Sequence, residues 1–268
     1  PTRREGPASA SLSRNVALAA WHVWFWAGGV TLVWCFAGYA VMLAILAGRR
    51  RRMQLPQQPE RVPATAPDVS VVIAVRNEAA RIVEKVTSLA SCDTSRVREV
   101  IIVCDHCTDD TAGRALATGW PLVQVLRHDE GPSGKAGALN AGVARATGTL
   151  VFFTDVRQRI APDAISRLAG WFDDPANGAV SGSLEIEPSR DGSGTALDTY
   201  WRMEKHLREC ESVLDSSIGC TGAIYMIRRA LYRPLPVDTI LDDVVTPMNI
   251  VTQGSRVRFD PEARAYDP

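Results

Sequence analysis

The sequence lacks the common glycine-rich phosphate fingerprints. No G-x-G-x-x-G follows its first apolar strand-like run, and no G-x-x-x-x-G-K-[ST] occurs anywhere. Dinucleotide oxidoreductases and P-loop nucleotide hydrolases are therefore disfavoured. Charge of either sign is not in surplus: 30 basic side chains face 30 acidic ones. That balance argues against a dedicated nucleic-acid binder, which usually carries a basic excess. Cysteine is sparse and dispersed, with six residues in 268, so no secreted disulfide framework is indicated. Cys104 and Cys107 form a lone C-x-x-C around His106. A zinc or redox site needs a second ligand pair or a thioredoxin-like setting. The simpler expectation is a strand end running into a loop, with free thiols in a reducing compartment.

Charge is also missing locally. From Val16 to Gly48 there is no Asp, Glu, Lys or Arg. About 20 apolar residues cross a bilayer, so the run is long enough to do so. Trp21, Trp24 and Trp26 cluster near its start, as an aromatic belt does at a lipid–water interface. It stops at Arg49-Arg50-Arg51-Arg52, whereas a cleavable signal peptide carries its basic residues in front. Residues 1–52 are therefore expected to be a single transmembrane segment with a cytoplasmic basic flank. The alternative is a buried helical hairpin. Residues 53–67 hold Pro56, Pro59, Pro63 and Pro67 and read as a semi-rigid linker.

What is present lies beyond that linker. The chain is 46% hydrophobic and 22% charged, and the remaining stretch of about 200 residues suffices for one large domain. Val69–Val75 and Val100–Val103 are short β-branched runs and read as buried strands. Leu122–Leu126 and Thr149–Thr154 read as further strands. Helical spacing falls between them, over Ala79–Ala90, from Asp109/Asp110 through Thr118, and over Ala136–Ala146. Alternating strands and helices indicate an α/β parallel sheet covered on both faces, with ligands at the carboxyl ends of its strands. Those ends carry Asn77-Glu78, Asp105 and Asp155. Beyond Asp155 the pattern is mixed: strands at Ala179–Ile186, Gly222–Ile227 and Arg256–Phe259, and helices at Ala196–Leu214 and Ile240–Val251.

Six pieces of the sequence together resemble the family 2 glycosyltransferases. They are Val71–Glu78 (VVIAVRNE), Val103–Thr111 (VCDHCTDDT), Gly134–Gly142 (GKAGALNAG), Phe153–Asp155, Gly219–Tyr225 (GCTGAIY) and Leu241–Asp243. Within that family the chain is most similar to the membrane-associated cellulose, hyaluronan and poly-N-acetylglucosamine synthase group. The resemblance covers residues 68–268 and implies a GT-A fold, a Rossmann-like nucleotide-sugar-binding domain with a mixed central sheet. It implies an inverting transfer of a sugar from a nucleotide-diphosphate donor, with UDP favoured, to a glycan or lipid-linked hydroxyl at the cytoplasmic membrane face. Val75, Asn77, Glu78 and Asp105 would border the nucleoside, since carboxylates accept from base N–H and ribose hydroxyls. Lys135 would reach the donor. Asp155 would hold Mg²⁺ or Mn²⁺ on the diphosphate. Asp243 would be the base that deprotonates the acceptor.

The chain departs from the family's Asp-x-Asp, because Arg157 stands where the second carboxylate is usual. Either Asp155 alone holds the metal, or Arg157 itself pairs with the diphosphate. None of the seven tryptophans sits in a Gln-x-x-Arg-Trp motif, which the processive synthases carry. The chain opens with Pro and is expected to be a portion of a longer protein, cut short at its C-terminus. Two rival functions stay open: a non-catalytic glycosyltransferase-like subunit, and a nucleotidyltransferase that makes nucleotide sugars.

Overall fold

The computed structural model describes residues 7–53, 68–186 and 195–267. The expected linker, apart from Met53, lies outside the described residues. The chain divides into two compact units, residues 1–49 and 50–268. In the first, helix α1 (Pro7–Val33) passes through a π-helical stretch, Trp34–Gly38, into α2 (Tyr39–Met53), whose last residues belong to the second unit. The transmembrane helix expected across Val16–Gly48 is not supported. The π segment divides the apolar run, arginines fill the end of α2, and no helix among the described residues is long and apolar enough to cross a membrane. Trp21, Trp24, Phe25, Trp26 and Trp34 are nonetheless exposed, Trp24 at 74%.

The second unit is an α/β domain. In chain order it runs β1 (Val69–Val75), α3 (Ile82–Ala90), β2 (Val97–Asp105), α4 (Thr111–Ala117), β3 (Val123–His128), α5 (Lys135–Arg145) and β4 (Leu150–Phe153). It continues with β5 (Arg159–Ile160), α6 (Ala164–Gly170), β6 (Asn177–Ile186), α7 (Thr195–Leu214), β7 (Tyr225–Arg228), α8 (Asp242–Val251) and β8 (Arg256–Asp267). One eight-stranded sheet has the order β3-β2-β1-β4-β7-β6-β8-β5. The strands from β3 to β4 are parallel, β7 runs antiparallel to β4 and β6, and β8 returns parallel to β6. Parallel strands at one side and a mixed half at the other match the expected GT-A arrangement.

Alternation along the strands divides the core. Val71, Ile73 and Val75 of β1 join Ile82, Val86 and Leu89 of α3 on one face. Val72 of β1, with Ile101 and Val103 of β2, packs under Ala138, Leu139 and Val143 of α5 on the other. The close fit of α5 depends on Gly142: a Cβ there would lie 2.5 Å from Val72 Cγ1.

A buried carboxylate ties the helix-to-strand return behind this layer. Glu99 on β2 accepts from Ser70 Oγ (2.7 Å), Thr147 N (2.7 Å), Thr147 Oγ1 (2.8 Å) and Gln124 Nε2 (3.1 Å). Burial opposes its ionised form, but the Thr147 and Ser70 hydrogen bonds outweigh burial and hold the carboxyl below its ordinary value of 4.5. A depressed carboxyl stabilises the fold above that ordinary value, and the benefit is lost as pH falls through the folded value. Glu99→Ala is therefore expected to cost about 1–3 kcal/mol at neutral pH, because it leaves the buried Ser70 hydroxyl and the part-buried Thr147 and Gln124 donors without their acceptor. Denaturant titrations of both proteins should show the gap narrowing below pH 4.5; a gap that does not change with pH would contradict the assignment.

Candidate functional site

The carboxyl ends of β1, β2 and β4 lie side by side because β1 is central to the parallel half. Each end is shaped by its own loop. After β1, Asn77 adopts φ +55, a region asparagine tolerates better than most side chains. Its Oδ1 accepts from Thr108 N at 2.8 Å and from Thr108 Oγ1 at 3.3 Å. Asn77 thus fixes the turn that follows β2. Glu78 pairs with Arg81 at 3.1 Å, and its N–H donates to Thr111 Oγ1. The Val75 carbonyl accepts from Cys107 Sγ.

Asp105 is buried at the end of β2. One oxygen lies 2.9 Å from His106 Nδ1, and the other accepts from Gly134 N at 2.9 Å. Gly134 has φ +149, within the region L side chains rarely adopt, so a glycine is needed where the chain enters α5. The hydrogen bond to Asp105 sets the start of α5 over the sheet, and the next residue is Lys135.

Lys135 is the centre of the site. Its Nζ lies 3.1 Å from Asp155 Oδ1 and 3.3 Å from Asp242 Oδ1. Burial disfavours the ammonium, but Asp155 and Asp242 outweigh that, and the lysine is held above its ordinary value. Asp242 opens α8 and is 4% exposed, with Oδ2 buried and unpartnered. Burial raises its pKa and Asp243 adds to the rise, while Lys135 opposes both; the net shift is upward. Desolvation is the largest of these effects on Asp242.

Asp243 is half-buried beside it in the first turn of α8. Its carbonyl accepts from Cys220 N at 2.9 Å, which lays the Gly219–Gly222 segment along α8. A Cβ on Gly222 would stand 3.1 Å from Asp243 Oδ2, so glycine there keeps space at the carboxylate. Asn140 on α5 steadies the approach to α8. It accepts from Tyr232 Oη (2.7 Å) and Leu235 N (2.8 Å) and donates to the Leu235 carbonyl.

The structure therefore brings together Lys135, Asp155 and Asp242, with Asp243 next in the chain and Asp105 linked through Gly134. It does not bring Arg157 to them. That guanidinium is held by Asp267 at the end of β8, through Nε at 2.8 Å and Nη2 at 2.9 Å. Asn77 is engaged in loop structure, as described. Among the described residues no group of three or more His, Cys, Asp or Glu is placed to hold a metal ion. A single half-exposed carboxylate, Asp155, remains; with substrate phosphates this is a donor set that Mg²⁺ accepts, since that ion is commonly held by one or two carboxylates plus phosphates.

Two residues were missed in the sequence. Asp242 falls inside the Leu241–Asp243 piece, where the resemblance gives a role only to Asp243. Lys85 is buried within α3 at the position three after Ile82 and four before Leu89, so its signal is a lysine on an apolar stripe. Its Nζ donates to Thr154 Oγ1 (2.8 Å) and the Gln158 carbonyl (2.7 Å). Burial pulls its pKa down to about 7, opposed by Asp155 and Cys92. A lysine lowered in the fold binds its proton less well than in the unfolded chain. Its stability penalty is full below pH 7 and is relieved as pH rises toward the unfolded value of 10.5. Thermal unfolding of wild type and Lys85→Met from pH 7 toward 10 should shift in favour of the wild type, common titrations cancelling. A difference independent of pH would contradict this.

Residues 70–235 match the family model described as Glycosyl transferase family 2. The chain is similar to a beta-monoglucosyldiacylglycerol synthase of Synechocystis sp., 30% identical over 200 residues that cover 69% of this chain and 41% of that protein. It is also similar to an N-acetylglucosaminyltransferase of Rhizobium leguminosarum bv. viciae, 27% identical over 74% of this chain and 50% of that one. The chain thus spans half or less of the length of these relatives. Among solved structures, the mannosyltransferase PcManGT from Pyrobaculum calidifontis, in complex with GDP-Man and Mn²⁺, superposes with a TM-score of 0.69 at 26% identity, covering 89% of this chain and 67% of that one. A family match across more than half the sequence, on a GT-A-like mixed sheet with acids at adjacent strand ends, identifies the chain as a member of glycosyltransferase family 2.

Proposed function

We propose that the chain is the catalytic portion of an inverting glycosyltransferase that moves a sugar from a nucleotide-diphosphate donor to a hydroxyl acceptor. The carrying observation is the Asp155–Lys135–Asp242 cluster with Asp243 beside it on α8. In this reading the nucleoside lies over the ends of β1 and β2, bordered by Val75, Glu78 and the buried Asp105, with Asn77 shaping the loop. The diphosphate lies at Asp155 and Lys135. A divalent cation there, Mg²⁺ or Mn²⁺, would be held by Asp155 and the donor's own phosphates, and would neutralise charge gathering on the leaving nucleoside diphosphate. Lys135 places a fixed ammonium next to the same charge. Asp243 takes the proton from the acceptor hydroxyl as its oxygen attacks the anomeric carbon and the bond to the diphosphate breaks. One base opposite one leaving group gives a single displacement with inversion. The relatives support sugar transfer as the class: a beta-monoglucosyldiacylglycerol synthase, an N-acetylglucosaminyltransferase and a mannosyltransferase in complex with GDP-Man.

The acceptor in this proposal is a glycan or a lipid-linked hydroxyl, met at the cytoplasmic face of a membrane. Exposed Trp21, Trp24, Phe25 and Trp26 in the first unit support a lipid-surface setting, since aromatic side chains concentrate at headgroup depth.

Purified protein should transfer sugar from one of a panel of UDP- and GDP-sugars, and Asp243→Asn should lower kcat by a factor on the order of 100–10,000, the usual contribution of a general base. Nucleotide affinity should be unchanged in that variant. Full activity in Asp243→Asn would refute the assignment of the base. Equal nucleotide binding with no turnover in the wild type, for any donor, would favour the non-catalytic reading.

A further inference from the structure

Lys85 belongs to none of the steps above, yet it is 2% exposed in a helix whose other buried side chains are apolar. Lysines at such positions ordinarily run their stems along the apolar surface and keep the ammonium in water. This one does not. Its two hydrogen-bond acceptors, Thr154 Oγ1 and the Gln158 carbonyl, are the two ends of the turn that leaves β4, and Asp155 is the second residue of that turn. The outer edge of the same turn is held separately. Asp267 of β8 takes the Arg157 guanidinium at 2.8 and 2.9 Å and Gln158 Nε2 at 3.0 Å. The buried Lys85 Nζ beneath and one carboxylate outside thus pin a five-residue turn at three of its positions.

We propose that Lys85 is a positioning residue for the donor: by joining Thr154 to Gln158 it fixes the direction in which Asp155 leaves β4, so that its carboxylate faces Lys135 and the diphosphate. Lys85 touches neither substrate and acts through Asp155. The inference rests on the reading that Asp155 faces the donor diphosphate. A merely structural role would satisfy the same two buried oxygens and would show in stability alone. A positioning role shows in donor affinity.

The test is calorimetric titration of UDP and GDP, in Mn²⁺ buffer, into wild type, Lys85→Met, Thr154→Val and the double variant. Groups that orient a metal-binding residue from behind commonly contribute 10–100-fold in metal affinity or activity, and the nucleotide here is titrated with its Mn²⁺. Lys85→Met should therefore weaken the preferred nucleotide roughly 10–100-fold. Thr154→Val should weaken it less, and the double variant should bind no worse than Lys85→Met, because both changes break one clamp. The acceptor KM should not move. Wild-type affinity in Lys85→Met, or losses that simply multiply in the double variant, overturns the proposal. If Lys85→Met fails to fold, unchanged affinity in Thr154→Val overturns it. A wild type that binds neither nucleotide overturns the functional reading itself and this inference with it.

Discussion

The ammonium of Lys135 is the contact on which the site's geometry depends. It stands at the first residue of α5 and lies 3.1 Å from Asp155, just beyond β4, and 3.3 Å from Asp242 at the start of α8. Asp105, at the end of β2, sets the entry to α5 by accepting from Gly134 N. The parallel half of the sheet and the mixed half therefore meet at one cation. Two carboxylates on one ammonium leave the cluster short of positive charge, and Asp243 follows directly in the chain. That imbalance suits a site whose substrate arrives with its own counter-cation and departs as an anion.

Burial divides the acidic pair into two roles. Asp242 is desolvated, has an unpartnered oxygen and is shifted upward, so it is committed to the interior and to Lys135. Asp243 is half-buried with Gly222 at its carboxylate, which leaves that side of the carboxylate open. Adjacent residues on a helix point about 100° apart, and this lets one acid organise the cluster while its neighbour faces outward.

Much of this could be read from the residues. Strands β1 to β4 and the helices between them fall within about three residues of their expected positions, because β-branched runs and helical spacing signal buried elements strongly. Strand β8 was expected at Arg256–Phe259 and extends to Asp267. Its Pro261, Glu262 and Arg264 interrupt the apolar pattern, and only pairing with β6 and β5 reveals the strand. The short β5 and α6 are not among the expected elements: β5 has two residues, and the helical spacing of Ala164, Ile165, Leu168 and Ala169 in α6 spans less than two turns. In the site, Lys135, Asp155 and Asp243 are legible from the motif pieces, whereas the role of Asp242 depends on its burial against Lys135. The placement of Arg157 was not, because its partner Asp267 lies 110 residues away. Lys85 was concealed by the amphipathic stripe that contains it.

The central claim is that one half-buried carboxylate on α8 acts opposite one diphosphate at the end of β4, with no covalent sugar intermediate. The anomeric configuration of the product tests this most directly, read by NMR from the coupling constant of the newly formed glycosidic bond. From an α-linked nucleotide sugar the account predicts a β-linked product. An α-linked product would mean retention, and would contradict both the single displacement and the role given to Asp243.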